Sequence, residues 1–236
     1  MIKELFNKYN ISLTDDQEEK LNLYLELLIR WNKRFNLTSI TERDEVIRKH
    51  FLDSAIILKD DIDTLFSTAV ESSLLDLGTG AGFPGMVLAI LKPEWKITLA
   101  DSNNKKISFL NEVISELDIK NTTTIHGRAE DLGRDQKHRQ AYDLVTSRAV
   151  AELRLLLELC IPFVKTDGYF ISYKGPGYND ELSAADNAMK ELNCAVNNTI
   201  KLSIENNDRS ILIFEKTDSI PDRYPRRSGI PAKRPL

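Results

Sequence analysis

The sequence predicts an α/β fold: a seven-stranded, mostly parallel sheet with a C-terminal antiparallel hairpin, preceded by an N-terminal helical subdomain. Three observations carry that expectation. From Ser72 onward strand-like and helix-like runs alternate, the pattern of parallel strands joined by helical crossovers. The last two strand-like runs, NTIKLSIE (198–205) and RSILIFEK (209–216), are separated only by Asn206-Asn207-Asp208, which suits a hairpin and no crossover. Residues 1–70 instead place apolar residues at helical spacing.

Taken in order, Thr14-Asp15-Asp16-Gln17 is a capping-box signal opening a helix to about Phe35, with Leu21, Leu25 and Leu28 on its apolar face. RFNLTSI (34–40) reads as an irregular connection. A second helix is expected after Asp44, turning Val46, Ile47, Phe51 and Ile57 toward the core. The predicted parallel strands are LLDLG (74–78), KITLAD (96–101), NTTTIHG (121–127), YDLVTSR (142–148) and GYFISYKG (168–175). Helices fall between them near 85–92, 104–118, 150–161 and 179–192. After Thr217 the chain is proline-rich and basic, hence expected to be irregular. The division is 1–70 helical subdomain, 71–217 sheet domain and 218–236 basic tail.

Composition narrows the function. Hydrophobic residues at 42% and charged ones at 29% are ordinary for a soluble globular chain of 236 residues. No apolar run approaches the ~20 residues of a membrane helix, and the start, MIKELFNKYN, is too polar for a secretory signal. Cys160, mid-helix, reads as buried and structural, and Cys194 lies in a polar stretch with no candidate base. Neither a disulfide framework nor a metal centre is expected, and a reducing cytoplasm is the expected location. A net charge of −4 argues against nucleic acid on average. Locally the balance reverses: 221–236 has five basic residues against Asp222 alone, and 29–50 has six against three acids.

The stretch LLDLGTGAGFPG (74–85) concentrates glycines in a strand-to-helix turn, where backbone N–H groups can approach a ligand at the positive end of a helix dipole. Two templates fit. Gly80-Ala81-Gly82-Phe83-Pro84-Gly85 is a G-x-G-x-x-G dinucleotide fingerprint with Asp101 at a suitable distance. Asp76-Leu77-Gly78-Thr79-Gly80-Ala81-Gly82 is the D-x-G-x-G-x-G pattern of S-adenosylmethionine sites. A Walker loop is excluded, because no Lys-Ser/Thr follows the last glycine. Phe83 and Pro84 weigh slightly against a pyrophosphate, which needs free donors. The loop alone leaves both templates open.

Asp76 could pair with the cofactor's ammonium or could be a structural carboxylate holding the loop. Asp101 suits two ribose hydroxyls. In an open α/β sheet ligands lie beyond the carboxyl ends of the strands, so Ala129-Glu130 could meet an adenine edge. Arg148 could face the cofactor or the substrate, or bridge Glu152 one turn away. Amine methylation commonly uses an Asp/Asn-Pro-Pro-Tyr/Phe element after the fourth strand, where this chain has SRAVA. Pyrimidine-carbon methylation needs a nucleophilic cysteine. What remains is an acceptor atom with a ready lone pair, such as guanine N7, served by alignment and charge stabilisation.

DLGTGAGFPG, NLTSI, His50 with Asp53 and Ser54, LADS (99–102), GRAE, SRAVA and YPRRSGIPAKRPL together resemble the bacterial ribosomal RNA small-subunit methyltransferase G (glucose-inhibited division protein B) family. The resemblance spans essentially the whole chain in order. It implies a Rossmann-like class I S-adenosylmethionine-dependent methyltransferase fold and methylation of guanine N7 in a decoding-region loop of 16S ribosomal RNA. It also implies a cofactor site of Gly78, Gly80, Phe83, Asp101, Ala129, Glu130 and Arg148, with Asp76 nearby. Asn36, His50, Asp53 and Arg148 are the catalytic candidates; the first three could line a substrate pocket or tie the helices to the sheet. Lys174, Arg226, Arg227 and Lys233 are candidate RNA contacts, or a strand-end lysine and a solvated tail. The implied partner is 16S ribosomal RNA or the small ribosomal subunit, and a monomer is expected. A NAD-dependent oxidoreductase and a non-catalytic RNA-binding assembly factor are the competing readings.

Overall fold

The computed structural model describes residues 1–59, 72–205 and 207–236. The expected boundary at 70/71 and Asn206 of the expected turn lie outside the described residues.

Seven strands, β1 (Ser73–Leu77), β2 (Lys96–Asp101), β3 (Thr122–His126), β4 (Tyr142–Arg148), β5 (Val164–Lys174), β6 (Cys194–Ile204) and β7 (Asn207–Lys216), form one sheet in the order β3-β2-β1-β4-β5-β7-β6. β1 pairs in parallel with β2 and β4, and β4 pairs in parallel with β5. β7 then inserts antiparallel between β5 and β6. The order reverses at β1, so the carboxyl ends of β1 and β4 diverge into a crevice where a ligand can lie.

One sheet face is covered by the N-terminal helices. α1 (Ile2–Asn7) and α2 (Asp15–Phe35) precede the strands, and the capping box at Thr14 is complete: Gln17 N–H donates to Thr14 Oγ1, and Thr14 N–H to Gln17 Oε1. Phe6, Tyr24, Leu25 and Phe51 share one apolar cluster with Leu74 and Leu99 of the sheet and Met86 of the helix Gly85–Leu91. The other face is covered by the helices Leu153–Cys160, Tyr178–Ala184 and Asp186–Glu191, through Leu156, Leu157, Phe170 and Phe214. No helix among the described residues is long and apolar enough to cross a membrane.

Three local expectations differ from the structure. The helix expected after Asp44 is four short pieces: α-helix Arg43–Val46, π-helix Ile47–Leu52, α-helix Asp53–Ala55 and 3-10 turn Ile56–Leu58. The helix expected over 179–192 breaks at the buried Ala185. β6 starts at Cys194, so that residue is not in a polar setting: it pairs with Lys216 in the sheet, and burial pushes its thiol up to about 12. The tail is mostly irregular, with one turn of helix at Ile230–Lys233, but it is packed down. Ile220, Tyr224 and Pro225 are buried, and Arg139 donates to the carbonyl of Tyr224 at 2.6 Å.

Candidate functional site

The glycine turn joins β1 to a helix over Gly85–Leu91. Gly78, Gly80 and Gly82 take φ of +71°, +63° and +101°, the left-handed region that favours glycine. Gly85 is required by packing, because an added Cβ would lie 2.3 Å from Leu99 Cδ2 and 2.8 Å from Asp76 Oδ2. The N–H groups of the turn point inward. Gly78 and Thr79 donate to the carbonyl of Ala100, and Gly82 and Phe83 to that of Thr79. Gly80 donates to Asp101 Oδ2 and Gly85 to Asp76 Oδ2. Pro84 has no N–H. The turn therefore offers no row of free donors of the kind a pyrophosphate needs.

Asp76 is the carboxylate that holds this turn together. Besides Gly85 N–H, it accepts from Thr79 Oγ1 at 2.6 Å and Thr146 Oγ1 at 3.2 Å, and its side chain is fully buried. Burial pushes its pKa up to about 6 against the pull of those donors. The structure places it beneath the turn, outside the lining of the cavity above, and its bonds are those of a carboxylate that holds the loop.

That cavity, of about 510 Å³, opens at the carboxyl ends of β1, β2 and β4. Gly78, Gly80 and Phe83 line it, with Asp101, Ala129, Glu130 and Arg148, so the structure brings together every remaining residue of the expected cofactor set. Asp101 accepts Gly80 N–H at 2.9 Å and Asn103 N–H at 2.8 Å. Each carboxylate oxygen keeps a further lone pair for an incoming hydroxyl. Lys106 Nζ stands 3.5 Å from it and also lines the cavity; sequence reasoning missed this residue, and no spacing singled it out. Glu130 lines the wall and accepts Gly229 N–H from the tail at 3.0 Å.

The π-helix carries the second half of the site. This wider winding often accompanies functional positions, and here it presents Lys49 and His50, with Asp53 following directly. Asp53, 4% exposed, joins two guanidinium groups: Arg148 Nη1 meets its Oδ2, and Arg209 Nε meets its Oδ1 at 2.7 Å. Arg148 thus turns to Asp53 and His50, and Glu152 accepts instead from Arg154 at 3.0 Å. Arg148 Nη2 lies 3.2 Å from His50 Nδ1. A guanidinium can only donate, so Nδ1 accepts, and His50 Nε2–H donates to Thr38 Oγ1 at 2.8 Å. Burial, and then the charge of Arg148, lower the His50 pKa to about 4. The imidazole is therefore neutral near pH 7, with both nitrogens engaged. Its ring stacks on Phe83 at 4.4 Å, and the Arg148 guanidinium lies 5.3 Å from the same ring.

Other candidates fall elsewhere. Asn36 is exposed and ends α2 in the left-handed conformation (φ 45°); its neighbours Leu37 and Thr38 line the cavity instead. Lys174 is largely buried and bound to Glu181 at 2.6 Å and the Ala151 carbonyl at 3.0 Å, so the expectation of an open RNA contact is corrected to an internal clamp. Arg226 is likewise internal: its N–H and Nε both donate to Glu158 Oε1 at 2.8 Å, balancing a carboxylate with no exposed surface. Arg227 and Lys233 are exposed.

A family model described as "rRNA small subunit methyltransferase G" matches residues 17–212. A protein of Desulforamulus reducens named ribosomal RNA small subunit methyltransferase G is 44% identical over 237 residues, covering 100% of this chain and 97% of its own. A Clostridium botulinum protein of the same name is 44% identical over 238 residues, covering 100% and 98%. Among solved structures, a mutant of MtNAS in complex with S-adenosylmethionine superposes with TM-score 0.56 at 16% identity, over 87% of this chain and 76% of that one. M. jannaschii TYW2 in complex with AdoMet gives 0.51 at 15%, over 67% and 75%. These two likenesses establish the fold, a seven-stranded sheet of the class I methyltransferase type. The chain belongs to the rRNA small subunit methyltransferase G family.

Proposed function

We propose that this family member transfers a methyl group from S-adenosylmethionine to N7 of a guanine in a decoding-region loop of 16S ribosomal RNA. The observation that carries the reading is the glycine turn. The N–H groups of Gly78, Thr79, Gly80, Gly82, Phe83 and Gly85 are already bonded within the protein, yet the turn floors a cavity edged by a carboxylate, Asp101, with free lone pairs. Such a site suits a nucleoside without a phosphate and disfavours a dinucleotide. About 510 Å³ is within the usual range for a small-molecule site.

The residues present fit the group. Asp101 would hold the ribose hydroxyls, the Ala129–Glu130 backbone would edge the adenine, and Arg148 with Lys106 would face the amino-acid end. When bound, S-adenosylmethionine supplies an electrophilic methyl group on a sulfonium. The protein then has to align the acceptor. N7 carries its own lone pair, so a bond to the methyl carbon forms as the carbon–sulfur bond breaks, and the positive charge passes to the purine. No proton leaves before attack. The chain matches that demand: His50 is neutral with both nitrogens engaged, and the Cys160 thiol is buried and pushed well up, so it is no nucleophile. The stacked rings of Phe83 and His50 would present a flat wall to the cofactor and the acceptor. Guanine N7 is hidden in the deep major groove of an RNA helix, so the target is a loop base or an extruded one.

In this reading residues 1–70 serve as helical subdomain, 71–217 as catalytic domain and 218–236 as tail, in a cytoplasmic monomer acting on 16S ribosomal RNA or the small subunit. The exposed Arg227 and Lys233 meet RNA phosphate. The test uses methyl-labelled S-adenosylmethionine and small-subunit RNA or particles from a strain lacking this gene, followed by borohydride and aniline. Chain scission at one guanine of a decoding-region loop supports the proposal. Label without scission moves the methyl to another atom, and binding of RNA with no label favours an assembly factor.

A further inference from the structure

A second cavity, of about 410 Å³, adjoins the first. Its walls come from four separate stretches: Ile40, the turn carrying Lys49 and Asp53, the β4 end with Arg148 and Ala151, and the paired strands with Tyr173 and Arg209. His50, Arg148 and Ala149 line both cavities and form the partition between them. The chemistry of the two differs. The second is dominated by donors, namely Lys49, Arg148, Lys174 and Arg209, around one carboxylate, Asp53. Lys174 is taken by Glu181, and among the described residues the Lys49 ammonium pairs with half-exposed Glu45, a surface bond worth little and readily exchanged. Asp53 binds one edge of each guanidinium; Arg148 is held further by the Lys49 carbonyl and His50 Nδ1, and Arg209 Nη1 by the Asp208 carbonyl, which fixes two planar forks and leaves Arg209 Nη2 as the donor pair without a partner among the described residues.

We propose that this second cavity receives the extruded acceptor nucleotide, with the Arg209 guanidinium meeting the guanine carbonyl oxygen and Lys49 meeting its phosphate. The assignment rests on the function proposed above and adds the acceptor subsite to it. A pocket rich in fixed donors favours the O6 carbonyl of guanine over the N6 amine of adenine, since an amine facing those donors would be left without an acceptor. Ile40 and Tyr173 supply apolar surface for the base, and the shared partition places the base edge against the methyl donor. Asp53 acts as a positioning residue: it holds the forks and touches neither cofactor nor methyl.

Ala151 lines only the second cavity, so Ala151→Phe fills it without entering the first. Transfer to unmethylated small-subunit particles and affinity for S-adenosylmethionine are measured for the intact protein and the variant. We expect transfer to fall at least about tenfold while cofactor affinity stays within about twofold. Transfer at the normal rate overturns the inference. Should Ala151→Phe lose cofactor affinity or melt early, Arg209→Gln decides: a KM for particles raised about tenfold at unchanged cofactor affinity supports the subsite, and an unchanged KM overturns it. If the unaltered protein transfers no methyl group, the function itself fails, which is distinct from failure of the subsite.

Discussion

The proposed cofactor side and the proposed acceptor side of this site are built by different means. The cofactor side is local: Asp76, Thr79 and Gly85 fasten one turn within ten residues of sequence, and the neighbouring strand adds Asp101. The acceptor side joins residues 95 and 156 positions apart, through Asp53 to Arg148 and Asp53 to Arg209. The local side should survive damage elsewhere, whereas the long-range side depends on the N-terminal helices staying docked on the sheet.

The largest expected effect breaks the long-range side. Asp53→Ala leaves two partly buried guanidinium groups without their shared carboxylate. Breaking such a pair costs about 3 kcal/mol after allowing for the exposure of Arg209, to be read as a lowered denaturant midpoint. A loss below about 0.5 kcal/mol would mean the cluster does not hold the helices to the sheet.

A matching effect separates the two sides by pH. Asp76 has its pKa raised from 3.8 to about 6, so its folded form holds a proton more tightly. Its contribution is full below about pH 4 and is lost as pH rises through 6. His50 has its pKa lowered from 6.5 to about 4, so its folded form resists the proton. Its contribution is full above pH 6.5 and is lost as pH falls through 4. Each amounts to about 3 kcal/mol with opposite sign, so together they nearly cancel across the window. Asp76→Asn should therefore lose stability on acidification from pH 6.5 to 4.5 more steeply than the parent, and His50→Gln less steeply. Parallel slopes for all three proteins would dismiss the opposed pair.

The tail extends the comparison with a smaller effect on RNA. Arg226→Ala strands the buried Glu158 carboxylate and should cost about 3 kcal/mol of stability. The double change of Arg227→Gln with Lys233→Gln should leave stability unchanged and raise the KM for RNA about two- to fourfold at moderate salt. Equal stability losses from both would place the whole tail in a structural role.

How much was legible in the sequence follows the same division. Strand–helix alternation and the short link before β7 foretold the sheet, because each is a local periodicity. The turn was legible because its glycines answer to backbone geometry. The two readings of Asp76 stayed open because D-x-G-x-G-x-G does not say which way a strand-end carboxylate faces; that depends on Thr79 and on the bare Cα of Gly85. Arg209 was invisible, since only the antiparallel insertion of β7 beside β5 brings it near Asp53. Lys174 and Arg226 looked like free cations because their carboxylates, Glu181 and Glu158, lie on packed helices.

The central claim is that this site aligns a nucleophile and removes no proton. Single-turnover methyl transfer, with cofactor and particles saturating, measures it from pH 6.5 to 8.5. The account predicts a rate that stays level within about twofold, because His50 titrates far below this range. A rate climbing tenfold per pH unit would reveal a protein base, and would contradict it.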